Sequence, residues 1–370
     1  MKKTFKIIIS GGGTGGHIFP AVSIANALKA KLPNAEFLFV GAEGRMEMER
    51  VPQAGYKIIG LPMMGFDRKN LLKNVKVLFN LAKSLLKARR IIRDFQPDVA
   101  IGVGGYASGA LLKAANWAGV PTVLQEQNSF AGVTNKLLAK KAALICVAYE
   151  GMERFFPENK IILTGNPVRQ NLFETRTKNI ETRRAAYEFF GFSPGKKTLL
   201  VVGGSLGAKT INQSILAGIE KLSDIQVIWQ TGKIYFENIQ QELVGKNLPN
   251  LYVSEFLSQM DYAYSVADLV ISRAGASSIS ELCLLGKPSI LVPSPNVSED
   301  HQTHNAMALV NKKAAVLVKD SDAQKKLVDT ALALLNDSEK LEKLEQNSLA
   351  LGLPNAANHI ADEIIRLIER

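Results

Sequence analysis

The chain has 370 residues, enough for two ordinary domains rather than one. Hydrophobic residues make up 46% and charged residues 21%, which excludes a disordered chain, and two cysteines in apolar stretches, Cys146 and Cys283, exclude a disulfide framework and fit a reduced compartment. The formal charge of +11 points to an anionic partner (nucleic acid, an acidic membrane surface or a phosphate-bearing substrate), with a merely solvated basic face as the bland alternative.

No apolar stretch approaches the roughly 20 residues of a transmembrane helix. The short run after Lys2 and Lys3 passes straight into a glycine-rich loop, unlike a secretory signal. In chain order, apolar runs at residues 5–10, 36–40, 99–103, 122–125, 198–202, 226–230, 269–272 and 289–292 are each followed by a turn and a helical pattern. Continuous Val/Ile/Leu runs suit strands buried on both faces, and their alternation with helices predicts βαβ units and parallel sheets. The strand, glycine loop and helix start of Lys6 to His17 recur from Thr198 to Lys209. This repeat predicts two similar halves facing each other across a cleft, divided near Gly165-Asn-Pro-Val-Arg169, with the polar stretch 176–184 opening the second half. Residues 356–370 read as an amphipathic helix that either half could own.

Open parallel sheets bind ligands beyond the carboxyl ends of their strands, so the loops there carry the chemistry. Gly11 to Gly16 contains GxGxxG, whose glycines admit a phosphate to backbone N–H groups at a helix start. With Glu43 near the end of the second strand, a dinucleotide enzyme stays open, as does a plain tight turn. His17 opens the next helix, where its cationic form is disfavoured; a neutral imidazole suits removal of a proton from a sugar hydroxyl, and simple capping is the alternative. From Arg68 to Arg93 there are nine basic residues and no acidic one, interleaved with Leu71, Leu72, Val75, Leu78, Phe79, Ala82, Leu85 and Leu86. That pattern predicts an amphipathic helix able to lie on an anionic bilayer, or else an ordinary core-facing helix; nucleic acid is not expected, because no recognised module accompanies the charge.

Gln125-Glu-Gln-Asn128 is a polar cluster that is costly to bury without a role, and it is suited to gripping hydroxyls or an acetamide. Gly203 to Thr210 resembles a P-loop but has Ala208 at its final glycine, so a diphosphate cradle with the Ser205 hydroxyl fits better. In Arg273 to Glu281, Ser277 and Ser278 can cap a helix and donate to phosphate, while Glu281 can accept both hydroxyls of a ribose; a cap plus a surface glutamate is the alternative. His301 and His304 have metal-ligand spacing without an obvious third ligand, and Gln302 between them is better read as bonding a sugar. Asp320-Ser-Asp322 spells a metal-binding DxD that helix capping explains, and His359 reads as a surface residue.

Taken in order, Gly11 to Pro20, Val103 to Gly109, Gln125 to Asn128, Gly165 to Arg169, Gly203 to Ala208, Glu255 to Leu257 and Arg273 to Glu281 resemble the motifs of the undecaprenyl-diphospho-muramoylpentapeptide β-N-acetylglucosaminyltransferases, the MurG family. The ordered set covers nearly the whole chain. The resemblance implies an α/β protein of GT-B fold, two Rossmann-like domains with parallel sheets facing across a cleft. It implies an acceptor- and membrane-binding domain at 1–166, onto which a C-terminal helix at 354–370 packs back, and a UDP-GlcNAc-binding domain at 167–353. The implied activity is a hexosyltransferase that moves N-acetylglucosamine from UDP-N-acetylglucosamine to the muramoyl C4 hydroxyl of lipid I, forming lipid II for peptidoglycan, cell shape and division. The implied location is peripheral, on the cytoplasmic face of the inner membrane. Partners in a cell-wall or division complex fit the family, although no motif here identifies one.

By the same resemblance Thr14, Gly15 and Gly16 contact the donor across the cleft and Asn128 reaches its sugar. Arg169 and Ser205 lie at the diphosphate, and Leu257 lies at the uracil through its backbone. Ala276, Ser277, Ser278, Ile279, Ser280 and Glu281 wrap phosphate and ribose, and Gln302 contacts the sugar. Some relatives carry Gln-Gln where this chain has His301-Gln302, which makes His301 a second candidate. Converting an α-linked donor to a β-linked product needs a single displacement and a base on the acceptor side: His17, with Glu126 as rival. No metal or cofactor is called for, since helix N-termini, Ser205 and Arg169 can take the charge of the leaving diphosphate. An NAD- or FAD-binding oxidoreductase, a non-catalytic membrane scaffold that binds UDP-sugar, and an epimerase of the same fold remain as alternatives.

Overall fold

Every strand pairing among the described residues is parallel, and the strands form two separate sheets. The computed structural model describes residues 4–63, 73–168 and 180–369. It divides into two compact units, Met1–Val168 with Asn355–Arg370, and Arg169–Pro354. Arg169, residues 68–72 of the basic stretch (Leu71 and Leu72 among them) and residues 176–179 of the polar stretch therefore lie outside the described residues.

The first unit alternates β1 (Lys6–Ser10), α1 (Gly15–Lys31), β2 (Glu36–Ala42), α2 (Glu47–Gln53), β3 (Lys57–Leu61), α3 (Lys73–Phe95), β4 (Val99–Gly102), α4 (Tyr106–Trp117), β5 (Thr122–Glu126), α5 (Val133–Ala139), β6 (Leu144–Val147) and β7 (Ile161–Leu163). Its seven strands lie in the order β3-β2-β1-β4-β5-β6-β7. Successive residues of β1 serve opposite faces, as a period of two demands. Ile7 and Ile9 pack with Ile18, Ile24 and Leu28 of α1, while Ile8 joins Ala88 and Ile91 of α3 and Leu111 and Leu112 of α4.

The second unit runs α6 (Ile180–Phe190), β8 (Thr198–Val202), α7 (Lys209–Ala217), β9 (Gln226–Gln230), α8 (Lys233–Leu243), β10 (Leu251–Ser254), α9 (Met260–Val266), β11 (Leu269–Ser272), α10 (Ala276–Leu285), β12 (Ser289–Leu291), α11 (His301–Val310), β13 (Val316–Leu317), α12 (Ala323–Leu335) and α13 (Ser338–Ala350). Its order is β10-β9-β8-β11-β12-β13. The fully buried Trp229 anchors its core with Leu199, Val201, Ile211 and Ile271, and donates its indole N–H to Asn212 Oδ1 at 3.0 Å. The last helix, α14 (Ala356–Ile368), returns to the first unit, where Ala357, Ile360, Ala361 and Ile364 join the cluster of Ile7 and Ile24, and Asp362 pairs with Lys31 at 2.7 Å.

In each sheet the strand order reverses beside the first strand of the unit, between β1 and β4 and between β8 and β11. Crevices at such switch points are where open α/β sheets take ligands. The loops that leave these four strands are Gly11 to Thr14, Val103 to Gly105, Gly203 to Ala208 and Arg273 to Gly275, so the fold gathers the sequence motifs at one switch point in each unit.

Candidate functional site

In the first unit the loop after β1 is shaped by contacts that only glycine permits. A Cβ on Gly12 would lie 2.1 Å from Glu47 Oε1, and one on Gly105 would lie 2.7 Å from Gly12 O. Gly13 has φ +87°. The backbone of Thr14 is extended, and its carbonyl accepts the first helical bonds of α1 from His17 N–H at 3.1 Å and Ile18 N–H at 3.2 Å. The N–H groups of Gly15 and Gly16 therefore precede the hydrogen-bonded part of the helix, where an anion or a sugar oxygen is best received. His17 is half-buried and donates from Nδ1 to Gly12 O at 2.9 Å. Glu43, the acid that a dinucleotide enzyme would turn to a ribose, instead pairs with Lys87 of α3 at 2.8 Å.

The polar cluster after β5 divides by role. Gln125 and Gln127 are fully buried in a structural network: Gln127 donates to Val103 O at 2.7 Å, Gln125 donates to Asn166 Oδ1 at 3.0 Å, and Asn166 donates to Gln127 O at 2.9 Å. Glu126 is also buried, and four N–H groups converge on its carboxylate. Asn128 N–H and Asn128 Nδ2 reach Oε1 at 3.1 and 3.2 Å, while Gly132 N–H and Asn135 Nδ2 reach Oε2 at 3.0 and 2.8 Å. Glu126 thus clamps its own loop onto the start of α5, an arrangement unlike that of a base waiting for a proton. Asn128 is the one member of the cluster that reaches the surface in part.

In the second unit the loop after β8 approaches its neighbour backbone to backbone. A Cβ on Gly207, whose φ is +77°, would lie 2.0 Å from Thr231 O. Ser205 is exposed at the tip. Beneath it the buried Gln230, at the carboxyl end of β9, donates from Nε2 to Gly204 O at 2.8 Å and accepts from Leu257 N–H at 3.2 Å. One carboxamide therefore ties the Ser205 loop to Leu257. Leu257 is itself buried with its N–H engaged, so a backbone contact from it falls to the carbonyl.

After β11, Gly275 is extended and its carbonyl takes the first helical bond of α10, from Ile279 N–H at 2.9 Å. Ala276, Ser277 and Ser278 lead the helix with their N–H groups ahead of that bond. Ile279 is a core residue, Ser280 Oγ donates to Ala276 O at 2.9 Å, and the buried Glu281 accepts from Tyr264 OH at 3.1 Å. Gln302 on α11 accepts from Ser294 N–H at 2.9 Å, which turns its NH₂ away from that bond as a donor, and Asn305 one turn later donates to Ala274 O at 3.3 Å. His301 is half-buried and His304 exposed. Asp320 of the DxD is an anchor: Arg273 donates to one carboxylate oxygen and Thr210 Oγ1 to the other at 2.9 Å. Asp322 is held below the usual carboxylate range by Lys326. Among the described residues no three His, Cys, Asp or Glu side chains gather so as to hold a metal ion.

Sequence reading passed over Glu47, Gln230 and Asn305. Only Gln230 carried a signal, as a polar residue closing a buried apolar strand.

Residues 7–147 match the glycosyltransferase family 28 N-terminal domain and residues 198–361 the glycosyltransferase family 28 C-terminal domain. A UDP-N-acetylglucosamine–N-acetylmuramyl-(pentapeptide) pyrophosphoryl-undecaprenol N-acetylglucosamine transferase of Parabacteroides distasonis is 61% identical over 370 residues, covering 100% of both chains. Its counterpart from Bacteroides thetaiotaomicron is 62% identical, over 100% of this chain and 99% of that one. The crystal structure of Acinetobacter baumannii MurG matches with a TM-score of 0.78 at 26% identity, over 98% of this chain and 100% of that one.

Proposed function

From the premise that the chain belongs to glycosyltransferase family 28, among its UDP-N-acetylglucosamine–N-acetylmuramyl-(pentapeptide) pyrophosphoryl-undecaprenol N-acetylglucosamine transferases, we propose that it transfers N-acetylglucosamine from UDP-N-acetylglucosamine to the C4 hydroxyl of lipid I, making lipid II. The observation that carries this reading is the 61% identity over the whole of both chains. The two parallel-sheet units are the Rossmann-like halves of a GT-B enzyme, with acceptor binding assigned to residues 1–166 and the C-terminal helix, and donor binding to 167–353.

His17 is assigned as the base. When neutral, its ring carries the proton on Nδ1, because Gly12 O can only accept, and Nε2 then has the lone pair that takes the proton of the attacking hydroxyl. The leaving diphosphate is assigned to Ser205, to the N–H groups of Ala276, Ser277 and Ser278, and to Arg169. Positive helix ends and fixed donors stabilise charge that develops on departure without having to reorganise. Glu281 suits the ribose, the Leu257 carbonyl the N–H edge of uracil, and the Gln302 amide, Asn128, Thr14, Gly15 and Gly16 the sugar. Ile279 and Ser280 serve as helix framework.

The membrane surface is the second partner we assign, together with a peripheral place on the cytoplasmic face of the inner membrane. Among the described residues no helix is long and apolar enough to cross a bilayer. On α3, however, Phe79 is 60% and Leu86 67% exposed beside Lys83, Arg89, Arg90 and Arg93, while Val77, Ala88, Ile91 and Ile92 are buried. Trp117 of α4 is half exposed, with the Arg89 guanidinium 5.7 Å and the Lys113 ammonium 5.4 Å from its ring centre. Apolar side chains ringed by cations suit an anionic headgroup layer.

A turnover assay tests the function. Purified protein is given UDP-N-acetylglucosamine and a short-chain lipid I analogue, with and without chelator, and products are read by mass. A disaccharide product that survives chelation is expected. Donor binding without product would leave only a scaffold, and donor consumption without acceptor would indicate an epimerase.

A further inference from the structure

Beneath the loop of the first unit lies an ionisable group to which no step above gives a task. Glu47, the first residue of α2, is fully buried, and no described cation pairs with it. Its Oε2 accepts from Gly13 N–H at 2.9 Å and its Oε1 from Ala42 N–H at 3.0 Å. The backbone closes tightly around it: a Cβ on Gly41 would lie 2.5 Å from its Cγ, and one on Gly12 would lie 2.1 Å from Oε1. The peptide that Glu47 grips joins Gly13 to Gly12, whose carbonyl accepts from His17 Nδ1. On the other side of the imidazole, a Cβ on Gly104 would meet Nε2 and Cδ2 at 2.8 Å. A buried carboxyl without a cation is expensive to keep, so the geometry it enforces is the thing to explain.

We infer that Glu47 is a positioning residue for His17. By holding the Gly13 amide it fixes the Gly12 carbonyl against Nδ1, and so keeps the neutral ring in the tautomer whose Nε2 accepts a proton. The inference rests on His17 being the base. Glu47→Gln is isosteric and turns an NH₂ toward one of the two backbone amides. It is expected to lower kcat by roughly tenfold or more while KM for UDP-N-acetylglucosamine stays within about twofold. In a His17→Ala background the same change is expected to have less than about a twofold further effect, because both act on one group. Glu47→Asp, which keeps two acceptor oxygens, is expected to recover part of the rate, and it carries the comparison should the amide variant not fold. Nitrogen NMR gives an independent readout, since the chain has only four histidines and His17→Ala identifies the signal. A Nδ1-protonated ring is expected in the parent and a tautomer mixture in Glu47→Gln. A retained kcat, an equal loss in both backgrounds or an unchanged ring signal would each overturn the inference. A parental rate in His17→Ala would remove the base assignment instead, and the ring signal would still show whether Glu47 sets the tautomer.

Discussion

The two glycine loops share a grammar and a place, each following the first strand of its unit at a reversal of strand order, yet different groups support them. The loop at 11–17 rests on a buried carboxylate, Glu47, and the loop at 203–208 on a buried carboxamide, Gln230. The difference bears on which ligand each can take. Like charges brought close together away from bulk water repel each other. A diphosphate is thus poorly placed over Glu47, which argues against the dinucleotide reading of GxGxxG that the Glu43–Lys87 pair already weakens. Over the neutral Gln230 the same diphosphate meets no such penalty. A glycine pattern shows where the backbone is open; the side chain beneath it decides whether an anion or a base belongs there.

Four experiments press on that comparison. The largest effect is expected from His17→Ala: kcat should fall by about 10²–10⁴, the usual contribution of a general base, with donor affinity near that of the parent. Single-turnover rates and donor titration check this, and a near-normal rate with tightly bound donor would mean that the first loop holds no base. Next come two glycine substitutions that should fail differently. Gly207→Ala, with its Cβ 2.0 Å from Thr231 O, should weaken UDP binding and lower the melting temperature, a strain of about 1–3 kcal/mol. Gly12→Ala, with its Cβ 2.1 Å from Glu47 Oε1, should reduce turnover while sparing UDP binding. Calorimetric titration with UDP separates them, and equal losses of UDP binding would show that the loops do not divide the work. A smaller effect is expected away from both loops. Arg89→Ala should weaken binding to anionic vesicles by about fivefold, near 1 kcal/mol for one basic residue at the surface, and leave neutral vesicles unaffected. The smallest concerns the cysteines. Burial pushes the Cys146 thiol up to about 12 and the Cys283 thiol up to about 11. Both stay protonated at pH 8, so labelling of the native protein by a thiol reagent should be negligible and appear only on unfolding.

Much of the architecture was legible because central strands of a parallel sheet are apolar on both faces. β1, β2, β4, β5, β8, β9, β11 and β12 all stand where continuous runs predicted them, with ends shifted by at most two residues. Of the five strands passed over, β3, β7, β10 and β13 are sheet edges. They are short or half-buried, and a partly wetted strand need not carry a strong apolar run. The fifth, β6, is buried but only four residues long. The same contrast holds at the site. His17 stood out because a rare side chain follows six residues that are nearly all glycine. Glu47 did not, because it shares a polar stretch with Glu43 and Glu49, and nothing local distinguishes the buried one. Glu126 was visible as a costly acid, but its four donors come from a loop that closes only when Asn135 arrives nine residues later.

The return of α14 to the first unit sets an order of assembly. On α1, the face formed by Ile18, Ile24 and Leu28 shares its cluster with Ile360 and Ile364, close to the end of the chain. During synthesis this flank of the N-terminal half, packed on β1 but lacking α14, must wait partly uncovered while the whole of the other unit is made, so the half that begins first is completed last. A chain cut short after residue 354 would carry an entire second unit, and the injury would appear at the opposite end of the sequence, as an apolar wound on α1.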